Sequence, residues 1–360
     1  MFQYMFIQKE KIKNVIKNTS YQKYLNEIHE IIKTHHKNFQ CLLTSKALFR
    51  KISFYGKKKN KFFYEHINEN KFNILLTKIL NNFYEKYNFL KNEQQLFLRL
   101  FDVQDSVVNE LNKKGISIFN ELLAKPKCQK IIDLLNLKQF HNRQTNEIKK
   151  LNLYGSNKNI WWLHNYQDLL QIDLVQHILS SSYLLHIAQT YFGCTPILHH
   201  VHFWASYPGD LESTQKFHQD FDDIRFLKVF IYLNDVSELN GPHCYVQKSL
   251  QNAHNIIKKD NKLSERLEDD LVNDYFKEDV LHIKGNTGTM IIEDTHGIHK
   301  GAKVKEGKRF IFQLLFGCST FYTLKMEHFK KYKCSIEKHA ILYQAFKNYP
   351  YTFMNFNFEK

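Results

Sequence analysis

Two hydrophobic patterns divide the chain. In its first part, apolar residues recur at spacings of three and four, as in FNILLTKILNNFYEKYNFL at 72–90, which is the period of an amphipathic helix. Only two of the 12 glycines and one of the five prolines lie before residue 150, so few turns interrupt this part. The pattern predicts a helical region over 1–150. Within it, 104–123 and 127–140 are two further predicted helices, although KKGISIF at 113–119 also fits the start of a strand.

After Gly193, apolar and polar residues alternate, which is the period of a β-strand. In RFLKVFIYLNDV, Leu227, Val229 and Ile231 share one face, and Lys228 shares the other with aromatic residues. Eight such segments with turn residues between them are typical of a double-stranded β-helix, or jelly roll. The segments are PILHHVHFWASYP, QKFHQDF, RFLKVFIYLNDV, HCYVQKS, DVLHIKG, GTMIIED, GIHKGAKV and KRFIFQLLFGCS.

The predicted organisation is a mainly β core with helical additions on both sides. The jelly-roll core spans 151–322, a charged helical insertion interrupts it at 252–279, and helices at 323–360 cover one sheet. The N-terminal region, 1–150, supports the core or shapes an entrance to it. The adjacent Trp161 and Trp162 precede the first strand of the core, and we expect both to anchor packing rather than to contact a ligand, as most tryptophans do.

Composition excludes several classes of protein. Hydrophobic residues make up 43% of the chain, which is enough for a sizeable core and argues against disorder. The net charge of +15 is spread over scattered lysines, so it carries no strong signal for nucleic acid. Six cysteines without a C-x-x-C pair indicate reduced thiols. No segment has the length of a signal peptide or a membrane span, so we expect a soluble, cytoplasmic protein.

Two histidines and a carboxylate have the spacing of metal ligands. His218 and Asp220 leave the same face of an extended segment, so both can bind one ion. An H-x-D triplet arises about once by chance in such a composition, so the pair needs a third ligand from another strand, and both His296 and His299 are candidates. Two histidines and one carboxylate form the facial triad of non-haem Fe(II). Arg309 follows His299 by ten residues, beyond a predicted turn, where it can bind a dicarboxylate. Histidines expected to be ordinary hydrogen-bonded residues are His199, His200, His202, His243 and His282.

Four motifs follow one another along the core, namely QKFHQDFDD, RFLKVFIYLNDV, NGPHCYVQKS and DTHGIHKG, and the last leads into GKRFIFQLLFG. In this order they resemble the phytanoyl-CoA dioxygenase family of Fe(II)/2-oxoglutarate-dependent oxygenases, over roughly residues 190–320. The resemblance implies that His218, Asp220 and His299 bind iron and that Arg309 pairs with the distal carboxylate of 2-oxoglutarate. Because Asp220 is present, it implies hydroxylation rather than halogenation. The chain departs from the family at Leu250, where a histidine usually follows the serine, and this departure concerns substrate contacts rather than iron.

The implied activity is hydroxylation of a C–H bond in a small-molecule substrate. It consumes O2 and 2-oxoglutarate and releases succinate and CO2, with ascorbate as a candidate reductant. Lys228 and Tyr207 are candidates for further contacts to the oxo acid. Two alternatives stay open. A jelly-roll hydrolase or isomerase using another divalent ion would keep the three ligands and give Arg309 no special role, and a non-catalytic basic module would bind nucleic acid or anionic lipid.

Overall fold

A computed structural model of the chain describes residues 104–193, 195–209, 213–220, 222–223, 225–250, 266–318, 332–350 and 352–359. The helices predicted before residue 104 lie outside these residues. So do 252–265 of the predicted insertion and the first part of the predicted C-terminal cover.

Helices and strands alternate at first, and strands dominate later. The helices are α1 (Gln104–Lys114), α2 (Lys125–Leu135), α3 (Gln167–Leu170), α4 (Asp173–Leu179), α5 (Ser182–Phe192), α6 (Asp269–Phe276) and α7 (Ala340–Asn348). The strands are β1 (Ile116–Phe119), β2 (Gln139–His141), β3 (Ile148–Lys150), β4 (Ile160–Leu163), β5 (Ile197–Ser206), β6 (Phe226–Tyr232), β7 (His243–Val246), β8 (Val280–Ile283), β9 (Met290–Glu293), β10 (His299–Gly301), β11 (Arg309–Gly317), β12 (Tyr332–Ser335) and β13 (Phe356–Glu359).

A large and a small antiparallel sheet form the core. The large sheet has the strand order β1-β9-β6-β11-β5-β4-β2-β3, and the small sheet has the order β10-β7-β8. The two sheets pack face to face, because Phe230 and Tyr232 of the large sheet share one hydrophobic cluster with Tyr245 and Ile283 of the small sheet. We call the face of the large sheet that carries Phe230 its interior face.

The opposite face of the large sheet packs against helices. Leu227, Val229 and Ile231 of β6 belong to a second cluster, to which α1, α2, α4, α5 and α7 contribute apolar side chains. Both faces of β6 are therefore buried, and the two sets of alternating residues lie on opposite faces, as its sequence predicts. Each large apolar side chain buried in this way contributes roughly 1.5–3 kcal/mol to folding.

The sheet begins earlier in the chain than the predicted boundary at residue 151. Strands β1, β2 and β3 all lie before that boundary and join the large sheet. The helix predicted over 104–123 is interrupted because Gly115 has a φ of +84°, a conformation that suits glycine and ends α1. β1 follows at once and pairs with β9, so the strand alternative for KKGISIF is the correct one.

Two further predictions need correction. Seven of the eight predicted core segments contain strands, but QKFHQDF contains only isolated bridges, from Phe217 to Leu267 and from His218 to His299. The described part of the C-terminal cover is not only helical, since β12 and β13 flank α7 and pair in parallel. Of the predicted insertion, the described part contains α6.

In the part of the chain that the structure describes, no helix combines the length and apolar content needed to cross a bilayer. The cysteines described there are buried, namely Cys128, Cys244, Cys318 and Cys334, and no disulfide joins any two of them.

Candidate active site

The three residues of the predicted triad come together at the start of β10. His218 and His299 form an antiparallel bridge, with both N–H to carbonyl distances at 2.9 Å, and their ring centroids are 4.3 Å apart. Asp220 donates its backbone N–H to the carbonyl of Thr295 at 2.8 Å. One ligand atom from each of the three side chains lies within 4.8 Å of the others. This backbone pairing brings His299, and not His296, to the other two.

Each imidazole of the triad is oriented by a backbone carbonyl. Nδ1 of His218 lies 2.8 Å from the carbonyl oxygen of Lys216, and Nδ1 of His299 lies 3.0 Å from that of Gly297. Because a carbonyl oxygen only accepts, Nδ1 carries a proton in both rings. Nε2 of His218 and of His299 lie 3.7 and 3.1 Å from the carboxylate of Asp220. Metal-binding histidines are held in this way, with the nitrogen away from the metal donating to the protein.

Lys228 keeps the carboxylate of Asp220 ionised. Its Nζ lies 2.5 Å from Oδ2 of Asp220 and 2.9 Å from Oδ2 of Asp222. Burial raises the pKa of Asp220, but the attraction of Lys228 and His299 exceeds that effect and leaves the pKa well below its usual range. Burial, reinforced by the neighbouring His299, lowers the pKa of His218 to about 3. Asp220 and His218 therefore have the protonation states that bind a divalent cation.

The donor set fits a transition-metal ion. Two imidazole nitrogens and one carboxylate oxygen are the ligands of non-haem Fe(II) sites, and catalytic zinc sites use the same set. In His299, burial lowers the pKa but Asp220 raises it more, so the net pKa is above the usual value. A cation bound here would displace that proton. The three ligands by themselves suit either ion, so the surrounding groups must distinguish them.

Arg309 is a buried cation for which the described residues supply no anionic partner. It is only 2% exposed. Its Nη1 donates to the carbonyl of Gly241 and its Nη2 lies 3.5 Å from Oγ of Ser206, while its Nε has no hydrogen-bond partner in the same part of the chain. Burial lowers its pKa, and Tyr232 and Cys244, the groups that oppose this shift, are not carboxylates. Within the described residues, no carboxylate is paired with this guanidinium.

The guanidinium of Arg309 lies on the same side of β10 as the triad. A Cβ on Gly301 would be 2.9 Å from Nη2 of Arg309, so the glycine leaves the space that the guanidinium occupies. Gly301 is two residues beyond His299, which places both on one face of the strand at a spacing of roughly 6.6 Å. A buried guanidinium is costly without a partner, and a ligand carboxylate would supply one through two parallel hydrogen bonds.

Tyr207, in contrast, is not brought to the site. Its neighbour Ser206 faces Arg309, so the alternation of the strand turns Tyr207 towards the helical side of the sheet. There its hydroxyl donates to the carbonyl of Leu153 at 3.0 Å, and its ring packs edge-on against Phe310. The expectation that Tyr207 contacts the oxo acid is therefore wrong.

Asp294 holds the turn that carries the triad, and the sequence patterns did not single it out. Its Oδ2 accepts from the hydroxyl of Tyr191 at 2.6 Å, and its Oδ1 accepts from the backbone N–H of His296 at 3.0 Å. Nδ1 of His296 lies 2.8 Å from the same Oδ1. In this turn, the carbonyl of Thr295 accepts from the backbone N–H of Asp220, and the carbonyl of Gly297 orients the imidazole of His299. The sequence signal that could have identified Asp294 is the D-x-H triplet that it forms with His296, three residues before His299.

Three of the remaining histidines have polar partners, and His243 and His199 among them are buried. Nε2 of His243 lies 2.9 and 3.0 Å from the two carboxylate oxygens of Glu293. Nε2 of His199 lies 3.4 Å from Asp223. Nδ1 of His282 lies 3.5 Å from the sulfur of Cys244. These contacts agree with the expectation of ordinary hydrogen-bonded residues.

No protein-family model and no curated protein matches the chain. Matches among solved structures include the non-haem alpha-ketoglutarate-dependent epimerase SnoN from nogalamycin biosynthesis, with a TM-score of 0.42 and 12% identity over 59% of this chain and 81% of that one. EctD from S. alaskensis with bound Fe has a TM-score of 0.42 and 14% identity over 60% of this chain and 76% of that one. HygX from Streptomyces hygroscopicus with nickel and 2-oxoglutarate bound has a TM-score of 0.41 and 14% identity over 61% and 87%. These scores are low, so the chemistry of this chain rests on its own residues.

Proposed function

We propose that the chain is an Fe(II)- and 2-oxoglutarate-dependent oxygenase with a double-stranded β-helix core, which hydroxylates a C–H bond of a small-molecule substrate. The observation that carries the proposal is Arg309. A buried guanidinium without a carboxylate partner among the described residues lies on the triad's side of β10. A hydrolase or isomerase using the same three ligands has no need of a second, buried cation at this place.

The residues divide the work between holding a metal and holding a co-substrate. His218, Asp220 and His299 would bind Fe(II), while Lys228 balances the charge of the carboxylate. Arg309 would bind the distal carboxylate of 2-oxoglutarate in a planar, bidentate geometry. When bound, Fe(II) and 2-oxoglutarate supply the oxidising chemistry, which consumes O2, releases succinate and CO2, and inserts one oxygen atom into the substrate C–H bond. The protein contributes orientation and a water-poor interior.

Anaerobic titration with 2-oxoglutarate tests the proposal. The Fe(II)-loaded protein is expected to develop a visible charge-transfer band that saturates with 2-oxoglutarate, and the Zn(II)-loaded protein is the control that shows none. In air, with ascorbate keeping the iron reduced, the same protein is expected to release succinate slowly without substrate. Tight metal binding with no affinity for 2-oxoglutarate would contradict the proposal and favour the hydrolase or isomerase.

A further inference from the structure

The interior face of the large sheet continues beyond the triad. Strand pairing places Lys228, Leu315 and His200 in one row across β6, β11 and β5, and Phe230 and His202 lie in the next row on either side of β11. Neighbouring strands are about 4.8 Å apart, so the two histidines lie about 10 Å from the strand of Lys228. Since Lys228 contacts Asp220 of the triad, the histidines lie across the interior face from the metal-ligand candidates.

These histidines belong to a group of rings that we call the aromatic wall, defined as His200, His202, Tyr166, Trp162 and Trp204. The two imidazoles stack with centroids 3.4 Å apart, and Tyr166 packs edge-on against both at 4.9 and 4.7 Å. Trp162 stacks on Trp204 at 4.6 Å and meets the edge of His202 at 5.5 Å. The wall is therefore a continuous surface on β4 and β5, extended by Tyr166.

Trp162 and His202 of the wall each carry a buried polar atom for which the described residues supply no partner. The two side chains are 8% and 9% exposed, and the atoms are Nε1 of Trp162 and Nδ1 of His202. Leaving such a group unpaired costs roughly 1–3 kcal/mol. The adjacent Trp161 shows the ordinary arrangement, because its Nε1 donates to the carbonyl of Lys158 at 2.7 Å. Of the two adjacent tryptophans, only Trp162, on the interior face, thus has an indole N–H without a partner among the described residues.

A positive charge lies directly at the wall. The guanidinium carbon of Arg143 lies 3.6 Å from the ring centroid of Trp162, and the residue is exposed. Burial lowers the pKa of His200 to about 3 and that of His202 far below the usual range, so both are neutral near pH 7. The acidic residues near the wall in sequence are paired with other cations, namely Glu147 with Lys149 at 3.1 Å and Asp168 with Lys138 at 3.3 Å. No ion pair of Arg143 is found among the described residues.

We infer that the aromatic wall is the substrate subsite and that the substrate is an organic anion, either a carboxylate or a phosphate ester. Trp162 can only donate a hydrogen bond and His202 can donate through Nδ1, while Arg143 adds a positive charge, so the group that suits all three is an acceptor with negative charge. The distance of about 10 Å to the strand of Lys228 places the reacting C–H bond several bonds from the acidic group. The subsite is read from the fold alone, whereas its role in hydroxylation rests on the proposed function.

Tryptophan fluorescence tests the subsite without metal or 2-oxoglutarate, since two of the three tryptophans belong to the wall. The probes are 4-phenylbutyrate, 4-phenylbutyl phosphate, 4-phenylbutanol and 4-phenylbutylamine, which share a skeleton and differ in the head group. The two anions are expected to change the emission in a saturable manner, and the alcohol and amine to bind at least about 10-fold more weakly. Preference for the carboxylate or the phosphate identifies the source of the charge.

The variant Arg143→Gln is expected to weaken binding of the anions about 10-fold, because it removes the fixed charge. The matched control is Lys149→Gln, which removes an exposed cation 4.2 Å above Trp161 on the helical side and should leave binding unchanged. Arg309→Gln should also leave it unchanged, which separates this subsite from the proposed 2-oxoglutarate site. Equal binding of amine and anion, an unaffected Arg143→Gln variant, or no anion binding below about 10 mM would overturn the inference.

Discussion

The triad and the aromatic wall lie on one interior face but differ in how their polar groups are satisfied. At the triad, Oδ2 of Asp220 lies 2.5 Å from Lys228 and 3.1 Å from His299, so the charges of this end balance each other. At the wall, Trp162 and His202 each have a buried polar atom for which no described residue is a hydrogen-bond partner. The charged groups of the triad are paired with each other in the absence of a ligand. The polar atoms of the wall would instead form hydrogen bonds with a bound ligand.

Arg309 belongs to the second kind although it lies near the first. Its guanidinium is buried and bonded only to neutral groups, namely the carbonyl of Gly241 and the hydroxyl of Ser206. Some residues of the site are therefore paired with each other, whereas others lack a charged or hydrogen-bonding partner among the described residues. Substitutions at the two kinds of residue should have different consequences for metal and for organic ligands.

The largest effect is expected on metal affinity when the triad loses its carboxylate. Asp220→Ala removes the carboxylate of the triad and leaves Lys228 beside the two histidines, so affinity for Fe(II) or Mn(II) should fall by more than about 100-fold and succinate release should disappear. Anaerobic metal titration measures this. The control is Asp222→Asn, which also loses a contact to Lys228 at 2.9 Å but keeps all three ligands. Equal metal affinity in Asp220→Ala and the parent protein would exclude the triad.

The next largest effect is expected on 2-oxoglutarate affinity when the guanidinium of Arg309 is removed. Arg309→Gln should weaken 2-oxoglutarate binding by about 30-fold or more, because loss of a buried charged partner costs at least about 2 kcal/mol. Metal affinity should stay unchanged, since Arg309 is not a ligand. The charge-transfer titration of the Fe(II)-loaded variant gives the first quantity, and metal titration gives the second. Parallel losses of both would mean that the arginine only supports the fold.

A smaller effect is expected from the turn behind the triad. Asp294→Asn replaces the acceptor shared by Tyr191 and His296, so the turn that orients the ligands loosens and metal affinity should fall about 10-fold. Tyr191→Phe removes one of these hydrogen bonds and should have a weaker effect in the same direction. Unfolding measured alongside distinguishes a local change from general destabilisation, because the metal-free variant is expected to remain folded.

The smallest expected effect is on the pH dependence of stability, through His200 of the wall. The folded pKa of His200 is about 3, against an unfolded value of 6.5, so between these values only the unfolded chain binds the proton. Stability must therefore fall as pH drops below 6.5 and be unaffected by this group above it. Between pH 7.5 and 5.5, the wild type should lose about 1.4 kcal/mol more than His200→Phe in urea unfolding. Identical pH dependence in both proteins would show that His200 is not held neutral in the wall.

Local patterns in the sequence were sufficient for several of these residues. The i, i+2 relation between His218 and Asp220 is visible without a fold, and the two faces of β6 follow from its alternation. The same alternation could have excluded Tyr207, because it shares a face of its strand with the apolar Phe203 and Ala205. The same alternation also places His200 and His202 on one face of β5, opposite the apolar residues, although each of them alone resembles an ordinary hydrogen-bonded histidine.

Other features had no local signal. Lys228 could have faced solvent or a ligand, and only the fold brings its ammonium to Asp220. The paired tryptophans were expected to share one role, yet the strand β4 places Trp161 in the cluster under the helices and Trp162 in the interior cluster. The sequence around them did not indicate a strand, because neighbours in the sheet rather than the segment itself stabilise the extended conformation.

The alternating strands, the shared face of His218 and Asp220, and the position of Arg309 ten residues after His299 are visible in the sequence. These are properties of short segments, and the first two follow from the period of the backbone. The fold, in contrast, brings His299 rather than His296 to the other two residues of the triad and places the guanidinium over Gly301. Both depend on the register between strands far apart in the chain, and a shift of one residue would turn every side chain to the other face.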